Sequence, residues 1–199
     1  MELTVGTDST WSLRVWICSQ IAQLDIDVNI IDLTNSDYKS EILKRSVTGL
    51  VPSLNEGTFV IHDSLAISEY FNECSEGVLY PSSSSERALA RSLCSELHSG
   101  FMNLRSQCPF SLGPVTPLLE FNNDINNELI RIEKIFGSAQ LPFMFNSPGV
   151  VDAFYSILAF RLKAYGIKLQ GKAGEYQESL LNWSHLKQAI KQAHTWKNG

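Results

Sequence analysis

The chain opens with apolar and polar positions in alternation and closes with apolar residues recurring three to four apart, and that change of period divides it. Glu2 to Gly6 alternates as a short strand, followed by a polar loop from Thr7 to Thr10. A helix is predicted from Trp11 or Ser12, with Leu13, Trp16, Ile17, Ile21 and Leu24 on its apolar side. Val28 to Leu33 reads as a second strand of branched residues that completes a right-handed βαβ unit, and Ser36 to Lys44 as a second helix. The stretch TGLVPSLNEGTFVIHDS then predicts a hairpin. Its strands are Ser53 to Leu54 and Thr58 to His62, its turn is Asn55-Glu56-Gly57, and Asp63-Ser64 opens a helix running to about Cys74.

The segment EGVLYPSSSS is the sharpest change of composition and predicts a linker. Beyond it no strand pattern recurs. Ser85-Glu86 opens one long helix to Cys108, striped with Leu89, Leu93, Leu97, Phe101 and Leu104 and ended by Pro109. Leu118 to Phe136 is the next helix. Leu141 to Phe145 leads into the most apolar one, where Asp152 stands three residues after Gly149, the offset from which a carboxylate reaches the N-cap N–H. Glu175 to Leu181 and His185 to Trp196 close a bundle. The expected fold is an α+β domain of order βαβ-α-ββα over residues 1–76, a linker at 77–85 and an all-α domain over 86–199.

A length of 199 residues with 44% hydrophobic and 19% charged positions is that of an ordinary folded chain. A net charge of −5 without a Lys/Arg run argues against nucleic acid as the main partner. No basic leader precedes an apolar run and no stretch approaches bilayer length, so a cytoplasmic chain without a membrane partner is expected. Cys18, Cys74, Cys94 and Cys108 are scattered, without a CxxC pair or a histidine at metal spacing. They read as free buried thiols, with neither disulfide nor metal.

The candidate chemistry lies around the hairpin. Pro52 has no N–H, which suits a place where the backbone of Val51 faces a ligand instead of a strand. Asp63 and Ser64 at a helix start offer a carboxylate, a hydroxyl and unpaired N–H groups, a set that holds an ammonium and a carboxylate side by side. Singly, Pro52 serves as turn punctuation and Asp63 as an N-cap; their spacing across one hairpin favours a ligand. The start of the first helix is where an anion such as a thiolate is stabilised, and a hydroxyl of Ser9, Thr10 or Ser12 would add a hydrogen bond to it. The same three residues serve equally as cap and turn. Arg14 reads as structural, paired with a carboxylate, and His62 as an ordinary strand-end residue.

GLVPSL followed by FVIHDSLAISEYF resembles the glutathione-binding half of the cytosolic glutathione transferases, and the likeness runs the length of the chain. The resemblance implies a thioredoxin-like first domain with a cis-proline at Pro52. Glutathione, as co-substrate, would lie against Leu50, Val51 and Pro52, with the Val51 backbone pairing with its cysteinyl part and Asp63 and Ser64 holding its γ-glutamyl end. DSTWSLRVWI resembles the serine-type segment of zeta-like and related bacterial members, with Ser9 and Thr10 at the activating position and Ser12 next in line. Classes that use a cysteine would carry it at Trp11.

The implied activity is attack of the glutathione thiolate on a small hydrophobic electrophile, as in detoxification, or glutathione-dependent isomerisation. A homodimer is implied as well. Glu96, His98, Ser99, Met102 and Arg105 stand on a helix that in this family also walls the electrophile pocket. The alternative is a glutathione-binding or interaction module with little turnover. A peroxidase or reductase working through a protein cysteine is weakened by the absence of a cysteine from the first loop. Gly149 to Asp152 resembles the family's Ser/Thr-x-x-Asp capping box with glycine in the hydroxyl position, which makes Asp152 a folding residue.

Overall fold

The computed structural model describes residues 1–118 and 120–198. The chain packs as two compact units, residues 1–79 with 188–199, and residues 80–187. In the first, strand β1 (Glu2–Gly6) leads through helix α1 (Thr10–Ile21) to β2 (Asp27–Ile31) and α2 (Tyr38–Leu43). Then come β3 (Ser53–Glu56), β4 (Phe59–His62) and α3 (Ser64–Cys74). This is the expected order, though β2 and α2 are shorter than the sequence suggests. The four strands lie in the order β2-β1-β3-β4, with β1 parallel to β2 and antiparallel to β3.

Central position explains why β1 shows no wet face: Leu3, Thr4 and Val5 are all buried, covered on both sides of the sheet. Helices α1 and α3 pack on each other, and Ser68 Oγ reaches Cys18 Sγ at 3.5 Å between them. Burial pushes the Cys18 thiol up to about 12, against the pull of Ser68 and Arg14, so it stays an inert thiol. The expectation of buried cysteines holds for Cys18, Cys94 and Cys108, whereas Cys74, on the last turn of α3, is exposed.

The second unit contains α4 (Ser84–Ser99), α5 (Met102–Gln107), α6 (Asn123–Gly137), α7 (Val150–Ala164) and α8 (Gly171–Asn182). Helix α9 (Ser184–Asn198) starts there, and its residues from Gln188 onward pack with the first unit. The single long helix expected to Cys108 is broken. Gly100 ends α4, and Phe101 takes a left-handed φ of 56° while burying its ring. The new start is capped from outside: Glu128 of α6 accepts the N–H groups of Asn103 at 3.1 Å and Leu104 at 2.7 Å. Leu89, read as core, is 49% exposed, because α4 turns that side to solvent. Helix α6 begins at Asn122 as N-cap, later than the Leu118 expected, and Leu119 lies outside the described residues.

Helix α7 is the core of this unit, with Val150 to Ala159 all buried. Asp152 Oδ2 accepts the N–H of Gly149 at 2.9 Å, half of a capping box, since glycine has no side chain to return the bond. Its Oδ1 accepts the N–H of Met144 at 2.8 Å and the hydroxyl of Tyr176 at 2.7 Å. Tyr155, also buried, donates to the Leu93 carbonyl at 3.0 Å. Those bonds tie α7 to α4, α8 and the segment before it.

Candidate functional site

The register of the sheet determines which loops meet. Thr4 lies opposite Ser53 and Ser53 opposite His62, with β1 and β4 both antiparallel to β3. The residues after β1, those before β3 and those after β4 therefore come together at one end of the sheet. Helices α1 and α3 both begin at that end. Two helix N-termini, each carrying unpaired N–H groups and roughly half a positive charge, converge where Val51 and Pro52 lie.

The loop after β1 is held from several sides. Thr7 donates its N–H to Ile31 O at 3.0 Å, and its hydroxyl accepts from Leu33 N at 3.0 Å and donates to Asp32 Oδ1 at 3.3 Å. The hydrogen bonds from Thr34 hold the Asp32 carboxyl below the usual range. Asp8 adopts a φ of 57° and pairs with Lys197 of α9 at 2.6 Å. Nothing in the sequence signalled that contact, which links residues 189 apart.

Ser9 is the N-cap of α1: its Oγ accepts the N–H of Ser12 at 3.2 Å, which leaves its own proton to give to another acceptor. Thr10 is the first helical residue, and its hydroxyl makes no hydrogen bond among the described residues. The third hydroxyl considered, that of Ser12, is fully buried and accepts the N–H of Gly6 at 3.1 Å, tying strand to helix. Arg14 is also buried, and its guanidinium stacks on the Trp11 ring at 4.6 Å.

Between these hydroxyls and α3 lies the segment before β3. Leu50 is 68% exposed, with its N–H on Thr48 Oγ1 at 3.3 Å. Val51 is half-buried, and among the described residues neither its N–H nor its C=O takes part in a backbone hydrogen bond. The Val51–Pro52 peptide bond is cis. Gly6 makes room here, since a Cβ on it would meet Val51 Cγ2 at 2.8 Å and Leu33 Cδ1 at 2.7 Å. Gly6→Ala is accordingly expected to push Val51 off its place, at about 1–3 kcal/mol. A urea titration gives the stability, and the amide spectrum would show the displacement at Val51.

Asp63 holds a strained φ of 79° and caps α3, accepting the N–H of Leu65 at 2.8 Å and of Ala66 at 3.4 Å. Ser64 is buried, and its hydroxyl has no hydrogen-bond partner among the described residues. The Ser53 hydroxyl, buried at the same end of the sheet, is in the same condition and was not singled out from the sequence. Exposed polar residues advertise a site, whereas a small hydroxyl inside a strand carries no such signal.

Residues 8–74 match the family model for the glutathione S-transferase N-terminal domain. The first unit thus carries the likeness of a glutathione S-transferase N-terminal domain. The fold of the chain is that of glutathione transferases of known structure. A homologue from Burkholderia gl BGR1 with bound glutathione aligns with a TM-score of 0.74 at 22% identity, over 98% of this chain and 97% of that one. A homologue from Sulfitobacter with bound glutathione gives 0.74 at 13% identity, over 96% and 97%. Maleyl pyruvate isomerase, a bacterial glutathione S-transferase of the zeta class, gives 0.70 at 14% identity, over 95% and 96%. No curated protein matches the chain in sequence.

The described residues include no helix long and apolar enough to cross a membrane. They also include no group of three or more His, Cys, Asp and Glu able to hold a metal. One cleft in the helical unit, about 450 Å³, lies between α6 and residues 167–170, bounded by Leu129, Ile130 and Ile167.

Proposed function

We propose that this chain is a glutathione-dependent transferase that holds the tripeptide along the Val51 backbone and ionises its thiol at the start of α1. The observation that carries the reading is the unused N–H and C=O of Val51, set between two helix N-termini. An extended peptide satisfies such a residue as an added strand would, by a reciprocal pair of backbone hydrogen bonds. Leu50 and Pro52 flank that slot. At one end Asp63 offers its carboxylate to an ammonium, and the first-turn N–H of Ser64 suits the neighbouring carboxylate, which matches a γ-glutamyl group.

At the other end Ser9, with Thr10 beside it, supplies the hydroxyl proton that favours the thiolate over the thiol. The thiol proton leaves to solvent, and the sulfur forms a carbon–sulfur bond to an electrophile. Either a leaving group departs or, in the isomerase variant, the same bond later breaks and returns glutathione. Proximity of two bound reactants supplies the rest of the rate. The same reading implies a homodimer acting in the cytoplasm on small electrophiles.

Calorimetric titration of glutathione into the full chain tests this. Binding is expected with a shift of the Val51 amide resonance, and Asp63→Ala should weaken it about 10-fold or more, the effect of losing one charge-assisted contact of roughly 1.5–3 kcal/mol. No heat and no shift at Val51 would sink the proposal. Binding without turnover of a chromogenic electrophile would favour the binding-module alternative instead.

A further inference from the structure

Arg161 sits in the last turn of α7 with 8% of its surface exposed. Its Nε has no hydrogen-bond partner, and no ion pair to it exists among the described residues. The other arginine of comparable burial, Arg14, stacks on the ring of Trp11, and the more exposed Arg131 of α6 is held in a fork by both oxygens of Glu96, at 2.6 and 2.7 Å. Among the described residues Arg161 has neither kind of partner. The ionisable groups that act on it are Arg105 of α5, the buried Cys108 thiol and the Tyr165 phenol, none of which is an anion at neutral pH. Burial, and then the charge of Arg105, lower the Arg161 pKa to about 10, which still leaves it protonated at neutral pH.

A charge so placed is costly. Removing a guanidinium from water without a counter-charge is unfavourable even after relaxation. The C-terminal dipole of α7 offsets only a part of that cost. The remainder is strain that an anion would relieve. Aromatic surface lies close in the chain: Phe110 and Phe160 pack at 5.9 Å, and the Tyr165 hydroxyl holds the segment between α5 and α6 by donating to Pro109 O at 3.0 Å.

From this geometry we infer that Arg161 is the anchor of an anion-binding subsite in the helical unit, and that its ligand is the carboxylate of a small molecule with an apolar body. One planar fork matches one carboxylate bidentately, whereas a phosphate dianion would call for further donors or cations. The subsite does not depend on the transferase reading, because it stands on the burial of Arg161 and on its lack of a partner among the described residues.

Thermal melts of the full chain in benzoate and in benzamide, at constant chloride, test the subsite without glutathione. Benzoate is expected to raise the Tm by about 3 °C or more at concentrations well above its Kd, and benzamide to leave it unmoved. Arg161→Met should raise the Tm of the ligand-free protein, as replacement of an unpaired buried charge by an apolar side chain does, and should abolish the benzoate response. A lowered Tm in that variant with the benzoate response intact, or equal responses to benzoate and benzamide, would overturn the inference. Should the variant fail to fold, the Arg161 Nε–H resonance of the wild-type protein decides. It shifts with benzoate alone if the subsite exists and with neither compound if it does not.

Discussion

Replacing Asp152 by alanine is expected to cost about 3–6 kcal/mol and to melt the helical unit well below the temperature of the wild-type chain. The carboxylate accepts hydrogen bonds from Gly149 N, Met144 N and Tyr176 Oη, and only 1% of its residue surface is exposed. Alanine leaves all three donors buried without acceptors, at about 1–3 kcal/mol each. Set against a typical domain stability of about 5–15 kcal/mol, that loss is large enough to decide folding. Asp152→Asn should fall between, because its amide keeps one accepting oxygen but turns an NH2 group toward one of the donors. Urea titrations of the three proteins by circular dichroism would check the order.

The same residue gives a pH signature. Burial is the dominant influence on the Asp152 carboxyl and pushes it up to about 6 from an ordinary 3.8, against the pull of its hydrogen-bond donors. The folded state therefore keeps a proton that the unfolded chain has already released across this window. Stability from this group is fully present below the ordinary value and is lost as pH rises toward about 6, at a slope of up to ~1.4 kcal/mol per pH unit. In Asp152→Asn that slope should vanish. An unchanged slope would mean that the carboxyl is not perturbed.

The second large effect is expected at Ser9. Loss of one charge-assisted hydrogen bond to a thiolate, about 1.5–3 kcal/mol, should lower kcat/KM with glutathione about 10- to 100-fold and raise the pH at which the bound thiol ionises. Ser9 also caps α1 through Ser12 N, so Ser9→Ala removes a cap worth about 1 kcal/mol as well as the hydroxyl proton proposed to meet the thiolate. Ser9→Gly separates the two, because glycine is a tolerable N-cap that costs only a few tenths of a kcal/mol. A glycine variant that keeps the wild-type thiolate titration, read by ultraviolet absorbance, would move the role to Thr10. If neither variant nor Thr10→Ala shifts the titration, the start of α1 does not activate the thiol.

Much of this was legible in the residues. Period two from Glu2 to Gly6 and period three to four from Leu13 onward located β1 and α1, although packing buries both faces of β1 and takes in Ser12, Arg14 and Ser19 of α1 beside Leu13 and Ile17. Proline before a strand and Asp-Ser before a helix are local chemistry, and the structure has Pro52 leading into β3 and Asp63 capping α3. The capping carboxylate of Asp152 belongs to the same class, being a signal contained within a few residues.

What the sequence could not carry was set by partners distant along the chain. The break at Gly100–Phe101 depends on Glu128, and the buried stripe of α4 does not register that a side chain 24 residues on takes the N–H of Leu104. Tyr176 completes the Asp152 network from α8, and Lys197 reaches the Asp8 loop from α9. Whether an arginine is paired is decided the same way, so Arg131 and Arg161 look alike as letters and differ only by what stands opposite them. Local pattern determined the elements and their order; tertiary packing alone decided which polar groups were satisfied, because a hydrogen bond needs its partner in space and not in sequence.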